Sequence, residues 1–205
     1  MSKYFSVFLF LLFSTVAFAD NFQVGDTVLD NFGGSVKKGQ VLEITSTGLV
    51  QTTNTFGTYI KLSRLAKYES VSNFRTGNLL SGYRTYQIGD LVFDTFVNTI
   101  LFGGVSMWNL GRVLDITSDG LVKTSNTYNT YIDIGRLEKY AKVNSYEVKG
   151  WFGSSSKIFK VGDEVIDNFG GTYQSGEIQD ISSNGLVKTS NTRGTYVKID
   201  RLQTK

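Results

Sequence analysis

The chain has 205 residues, of which 40% are hydrophobic, 14% aromatic and 19% charged, with a formal net charge of +3. That apolar content excludes a disordered chain. With no cysteine and no histidine, disulfides, thiol or imidazole catalysis and thiolate or imidazole metal sites are excluded, and with no proline so is a rigid Pro-rich linker.

Residues 1–19, MSKYFSVFLFLLFSTVAFA, read as a signal peptide. Lys3 supplies the positive start, Phe5 to Phe18 the apolar run, and Ala17-Phe18-Ala19 the small-x-small cleavage site. The run is 14 residues long. A membrane-spanning helix needs roughly 20, so an uncleaved anchor fits less well. Cleavage leaves a mature chain from Asp20. No later stretch reaches spanning length, and no cysteine follows the run to take a lipid. Export without disulfides points to a bacterial periplasm or exterior, where the protein is expected to be periplasmic or secreted.

After the leader, one unit occurs three times. Residues 22–65 and 159–202 align without a gap at an offset of 137 and share 25 of 44 positions. VGDTVLDNFGG at 24–34 returns as VGDEVIDNFGG at 161–171, and GLVQTTNTFGTY at 48–59 as GLVKTSNTRGTY at 185–196. The middle copy opens with IGDLVFD at 88–94 and closes with SDGLVKTSNTYNTYIDIGRL at 118–137, with eight extra residues between Thr95 and Leu110. The expected layout is repeat one over 20–68, a spacer over 69–85, repeat two with its inserted loop over 86–140, a spacer over 141–158, and repeat three over 159–205.

Each unit reads as β in chain order. A short alternating segment containing Val28 and Asp30 follows Gly25-Asp26. Gln40-Val41-Leu42-Glu43-Ile44 comes next and ends at Thr47-Gly48, which is Asp119-Gly120 and Asn184-Gly185 in the later copies. Such pairs suit a type I′ hairpin turn. Leu-Val-x-Thr starts the return strand. A second turn lies at Asn54-Thr55-Phe56-Gly57, where Gly57 is Asn129 in copy two, so that position demands left-handed backbone. A strand over 58–62 and Arg64-Leu65 complete the unit. Period 2 puts Val50, Thr52, Ile60 and Leu62 in the core, and Lys61, Asp133 and Lys198 in water. Tyr59, Tyr131 and Tyr196 share the outward face. Val41 and Ile44 are three apart yet both apolar, which calls for a β-bulge between them.

Gly-Asp-x-Val-x-Asp, a long loop, Gly-x-Val-x-x-Ile, a tight turn, Gly-Leu-Val-x-Thr, a short strand and Arg-Leu together resemble the SH3-like small barrels (bacterial SH3, Tudor and KOW modules). The resemblance implies an all-β fold class: three tandem SH3-like small β-barrels after a signal peptide. It also implies peptide, glycan or nucleic-acid binding along one face and no catalysis, although fold alone does not fix function. A single β-trefoil is the rival threefold architecture, and the spacers argue against it.

No nucleophile motif, phosphate loop or cofactor motif is present, so no catalytic residue, metal or cofactor is expected. Asp26 with Asp30, Asp90 with Asp94, and Asp163 with Asp167 repeat a carboxylate pair. Positions i and i+4 of an extended strand lie about 13 Å apart, too far for one glycosidase or Ca²⁺ site, so hydrogen bonds at the strand start explain the pairs better. Copy one is slightly basic, copy two slightly acidic and copy three neutral, so no surplus exists to neutralise phosphates and nucleic acid is not an expected partner.

The aromatics form the stronger lead. Tyr59, Tyr131 and Tyr196 beside Thr and Lys make a platform for a sugar ring or peptide, unless a loop or a neighbouring module covers them. Phe32, Phe102 and Phe169 each precede a Gly-Gly pair in the first loop, which borders the ligand groove of SH3-like barrels by resemblance. Met107 and Trp108 follow in the inserted loop. Trp108 has no core duty by repeat logic, since copies one and three do without a tryptophan, and is the foremost candidate for a contact, to a ligand or to an adjacent module. The expected function is recognition of cell-wall glycan, peptide or an envelope protein. The alternative is a structural protein whose aromatics join the modules rigidly.

Overall fold

The computed structural model describes residues 22–79, 82–94, 108–149, 156–167 and 172–205. The expected leader, most of the expected inserted loop and residues 150–155 lie outside them. The described chain is almost entirely β, in several antiparallel sheets, and its helical segments are single 3₁₀ turns. Among the described residues, no helix is long and apolar enough to cross a membrane.

Copy one contributes β1 (Thr27–Phe32), β2 (Ser35–Ile44), β3 (Leu49–Thr52), β4 (Ile60–Lys61) and β5 (Leu65–Lys67), followed by a hairpin of β6 (Asn73–Asn78) and β7 (Gly82–Gln87). Copy two contributes β8 (Leu91–Asp94), β9 (Leu110–Ile116), β10 (Leu121–Thr124), β11 (Thr130–Asp133) and β12 (Leu137–Lys139). β13 (Lys142–Val143) and a second hairpin, β14 (Ser145–Val148) with β15 (Lys157–Lys160), lead to copy three. Its strands are β16 (Glu164–Asp167), β17 (Gln174–Ser182), β18 (Leu186–Thr189), β19 (Val197–Lys198) and β20 (Gln203–Thr204). The pairing is the same each time: the first strand lies between the long second strand and the short last one, and the second, third and fourth form a meander.

The second strand serves two partners because it bends. In β2 the ladder skips Leu42, since Val41 pairs with Thr52 and Glu43 with Gln51. The same slip occurs between Val113 and Asp115 and between Ile178 and Asp180. This is the bulge that the spacing of Val41 and Ile44 demands. It turns Val41 and Ile44 to the same core and leaves Leu42 exposed. Gly39, at the bend, has the Asn54 side chain against it, and a Cβ there would meet Asn54 Nδ2 at 2.5 Å. Gly111 and Gly176 meet Asn126 and Asn191 the same way, so the glycine column is a packing requirement.

The first turn departs from the expectation, and the second has the left-handed backbone expected at Gly57 and Asn129. At Thr47-Gly48 only the glycine is left-handed (φ 76°), so that turn is not type I′. Thr45 Oγ1 holds it by accepting from the Leu49 N–H at 3.0 Å, as Thr117 and Ser182 do for Leu121 and Leu186. The second turn has both central residues left-handed, Phe56 at 48° and Gly57 at 83°, with the Thr58 N–H donating to the Thr55 carbonyl. Two successive positive φ angles are the type I′ geometry.

Three apolar clusters result, each seated in one copy. Val28, Val41, Val50 and Ile60 form the first, Val92, Val113, Val122 and Ile134 head the second, and Val165, Ile178, Val187 and Val197 head the third. Tyr86 and Phe159, from the ends of the two hairpins, complete the second and third. Val71 and Phe74, from the stretch expected as the first spacer, pack against the second cluster, and Val143, Tyr146 and Val148, from the second, pack against the third. Phe74 and Tyr146 on those hairpins sit directly over Gly120 and Gly185.

Candidate functional site

The repeated acids have separate duties. Asp26, Asp90 and Asp163 accept from the backbone N–H groups of Gln23, Gln87 and Lys160 at 2.8–2.9 Å. Asp30 is buried beneath the second turn, accepting from Thr52 Oγ1 at 2.7 Å and Asn54 Nδ2 at 2.8 Å, and Asp167 does the same with Thr189 and Asn191. Asp94 pairs with Arg136 at 3.0 Å. The first acid of each pair fits local turn chemistry, whereas the partners of the second acid are side chains far along the chain.

The aromatics converge where copies meet. Between copies one and two, β11 extends the sheet of copy one: Thr130 lies opposite Lys37 and Tyr131 opposite Val36. The Tyr131 hydroxyl donates to Asp115 Oδ2. Tyr68, at the end of copy one, donates to the same oxygen at 2.7 Å, and Ser70 donates to Oδ1 at 2.8 Å. Between copies two and three, Trp108 and Tyr196 exchange two backbone hydrogen bonds of 2.9 Å. The Tyr196 hydroxyl donates to Asp180 Oδ2, which also accepts from Tyr140 at 2.8 Å. The two joints are homologous: Tyr68 aligns with Tyr140, Asp115 with Asp180, and Tyr131 with Tyr196.

The second joint is the more aromatic. Phe93, Trp108, Leu186 and Tyr196 form a buried cluster of their own, bordered by Leu110 and Tyr140. The Phe93 and Tyr196 rings stand edge to face with centroids 4.9 Å apart, and Tyr140 approaches both. Such pairs add about 0.5–1.5 kcal/mol each beyond area burial. Linking strands fix the orientation. Ser70 bridges to Thr117, and β13 pairs with Ser182 and Ile181 of β17.

This changes the standing of the expected platform residues. Tyr131 and Tyr196 turn away from their own cores, as period 2 requires, but are only 2% and 3% exposed because a neighbouring copy covers them. They present no open stacking face. Trp108 is 8% exposed and packs across the second joint. Tyr59, in the same column, is 40% exposed and donates to Glu43 Oε2 at 2.7 Å. Phe32 is half-buried against the first core. Phe102, Met107 and Phe169 lie outside the described residues. Sequence reasoning passed over Phe93, Tyr68, Tyr140, Asp115 and Asp180. Aligned columns carried a signal for them, since position 43 is acidic in every copy and the column of Tyr68 repeats as Tyr140.

Two grooves border the joints. One of 530 Å³ runs along the second joint, with Trp108, Tyr146, Leu186, Glu138, Lys198 and Asp200 on its walls. Another of 430 Å³ lies over the first joint, beside Lys37, Lys38, Lys123, Tyr128 and Tyr131.

The first joint titrates at both ends of the pH scale and the second at the alkaline end. Burial raises the tyrosine hydroxyls and the acceptor carboxylates raise them further, taking Tyr140 from 10.0 to about 12 and Tyr131 and Tyr196 higher. Burial alone would raise Asp115, but hydrogen bonds from Tyr131, Tyr68 and Ser70, with the charge of Lys38, carry it below 3.8. A raised tyrosine stabilises the joint fully below pH 10, and that contribution disappears as pH climbs through the folded value. A lowered carboxylate contributes above 3.8 and is lost on acidification below it. Tyrosinate absorbance during an alkaline titration should therefore rise late for these residues, together with loss of near-UV dichroism. Ionisation of every tyrosine near pH 10 would refute the joint chemistry.

Compared with protein-family models and with curated proteins, the chain matches none.

Proposed function

We propose that this is an exported, non-enzymatic structural or interaction protein of the bacterial envelope, built from three SH3-like small barrels held in a stiff row. The single observation that carries this reading is the burial of Trp108, Tyr131 and Tyr196 between copies, where they are unavailable as open ligand platforms. The leader-like residues 1–19 support export. The linking strands and shared carboxylates support stiffness, because each joint combines backbone pairing with part-buried side-chain hydrogen bonds.

A second reading rests on the 530 Å³ groove, whose wall joins the Trp108 and Tyr146 rings to charges of both signs. That lining suits a glycan or peptide. Small-angle scattering together with a fluorescence titration separates the two. The first reading expects scattering that fits one rigid conformation and no saturable change in tryptophan emission with peptidoglycan fragments. Scattering that demands independently moving units would overturn it, and saturable quenching abolished by Glu138→Lys would favour the groove.

A further inference from the structure

Each joint has an incoming half and a receiving half, and among the described residues copy one leaves an incoming half unmatched and copy three a receiving half. The incoming half is the tyrosine of the 59/131/196 column, the acid of the 43/115/180 column, and the strand edge that carries the tyrosine. In copy one this half is assembled but open. Tyr59 already donates to Glu43, both are exposed, and the Thr58-Tyr59 backbone joins no ladder among the described residues. Leu49 is exposed where its counterpart Leu186 is buried in the second joint.

The receiving half is the edge at the start of the second strand, with Val36-Lys37 in copy one and Trp108 in copy two. In copy three that edge is Tyr173-Gln174. Gln174 pairs inward with Asp167 of β16, and Tyr173 stands 69% exposed in the column of Trp108. Ile166 occupies the column of Phe93. Lys205 occupies the column of Tyr68 and Tyr140, the position that donates to the incoming acid, and it is now held by an exposed Glu164 at 2.7 Å. An ammonium there matches the Glu43 carboxylate as a charge-assisted donor. Both internal joints already bring a lysine near the acid, with Lys142 Nζ 3.9 Å from Asp180 Oδ1 and Lys38 acting on Asp115.

We infer that the Tyr59–Glu43 edge of one molecule docks on the Tyr173–Gln174 edge of a second copy of this chain, repeating the internal joint between molecules. The contact is strand addition, with a tyrosine ring laid beside Tyr173 and Glu43 facing Lys205. It joins two different surfaces, so each molecule keeps one free half and assembly proceeds head to tail without closing at a dimer. An intermolecular joint lacks the effective concentration that the linking strands give the internal ones, so association rises gradually with concentration.

This inference rests on the stiff-row reading, and the two fail separately. Sedimentation of the full-length protein as an expressing cell produces it should show a weight-average mass climbing past that of a dimer as concentration rises. Tyr59→Asp and Tyr173→Asp should each abolish the climb and leave the melting temperature unchanged, because both side chains are exposed. An equimolar mixture of the two variants should stop at a dimer, since each retains the half that the other lacks. Wild-type protein that stays monomeric, variants that still assemble, or a mixture that stays monomeric would each overturn the inference. If monomers persist while scattering still reports one rigid conformation, self-association alone is wrong. Scattering from loosely tethered units would instead remove the reading beneath it.

Discussion

Replacing Trp108 by alanine is expected to unseat copy three from copy two. Truncating a large buried aromatic costs about 3–5 kcal/mol when the site cannot collapse. The ring packs in a cluster with Phe93, Leu186 and Tyr196, drawn from both copies, so the loss falls on the joint and not on the core of either copy. Urea denaturation followed by dichroism should then show two separated transitions where the wild type shows one. Phe56→Ala is the control: the ring is exposed at the tip of a turn, and its loss should shift stability by less than about 0.5 kcal/mol. A Trp108→Ala protein that unfolds like the wild type would mean that the ring does not hold the joint.

Asp180→Ala should cost nearly as much by a different route. The carboxylate is buried and accepts from the hydroxyls of Tyr140 and Tyr196, which lie on opposite sides of the joint. Removing it strands two hydroxyls in a place water reaches poorly, at roughly 1–3 kcal/mol each. Asp180→Asn keeps an acceptor oxygen and should lose about half as much. The aligned change Glu43→Ala in copy one removes an exposed acid and should leave the melting temperature of the monomer within error of the wild type. A double-mutant cycle of Asp180→Ala with Tyr140→Phe should show strong coupling, because the two groups touch. Additive losses would show that the shared-acceptor geometry is not what stabilises the joint.

Much of the local structure was legible because the copies were cross-checks on one another. Gly57 and Asn129 in one column marked left-handed backbone before any φ was known. The spacing of Val41 and Ile44 marked a bulge. Lys61, Asp133 and Lys198 marked the wet side of the fourth strand. The misread turn shows the limit of dipeptide signals: Asp119-Gly120 looks like a type I′ pair, yet the hydroxyl of Thr117 accepts the Leu121 N–H and selects a loop with one left-handed residue. The paired acids were half legible, since Asp26 bonds within its own turn and Asp30 reaches Thr52 and Asn54 in another part of the unit.

The sequence by itself determined which residues turn inward, where the strands bend, and that one β unit occurs three times. Those properties depend on side-chain period and backbone sterics, which act within a few residues. Only the tertiary structure decided that the outward tyrosines of copies two and three are covered and that of copy one is open. A side chain's exposure depends on what the chain places against it, and here the cover comes from a neighbouring copy far along the chain. The same column thus holds buried hydrogen-bond donors in two copies and an accessible edge in the first.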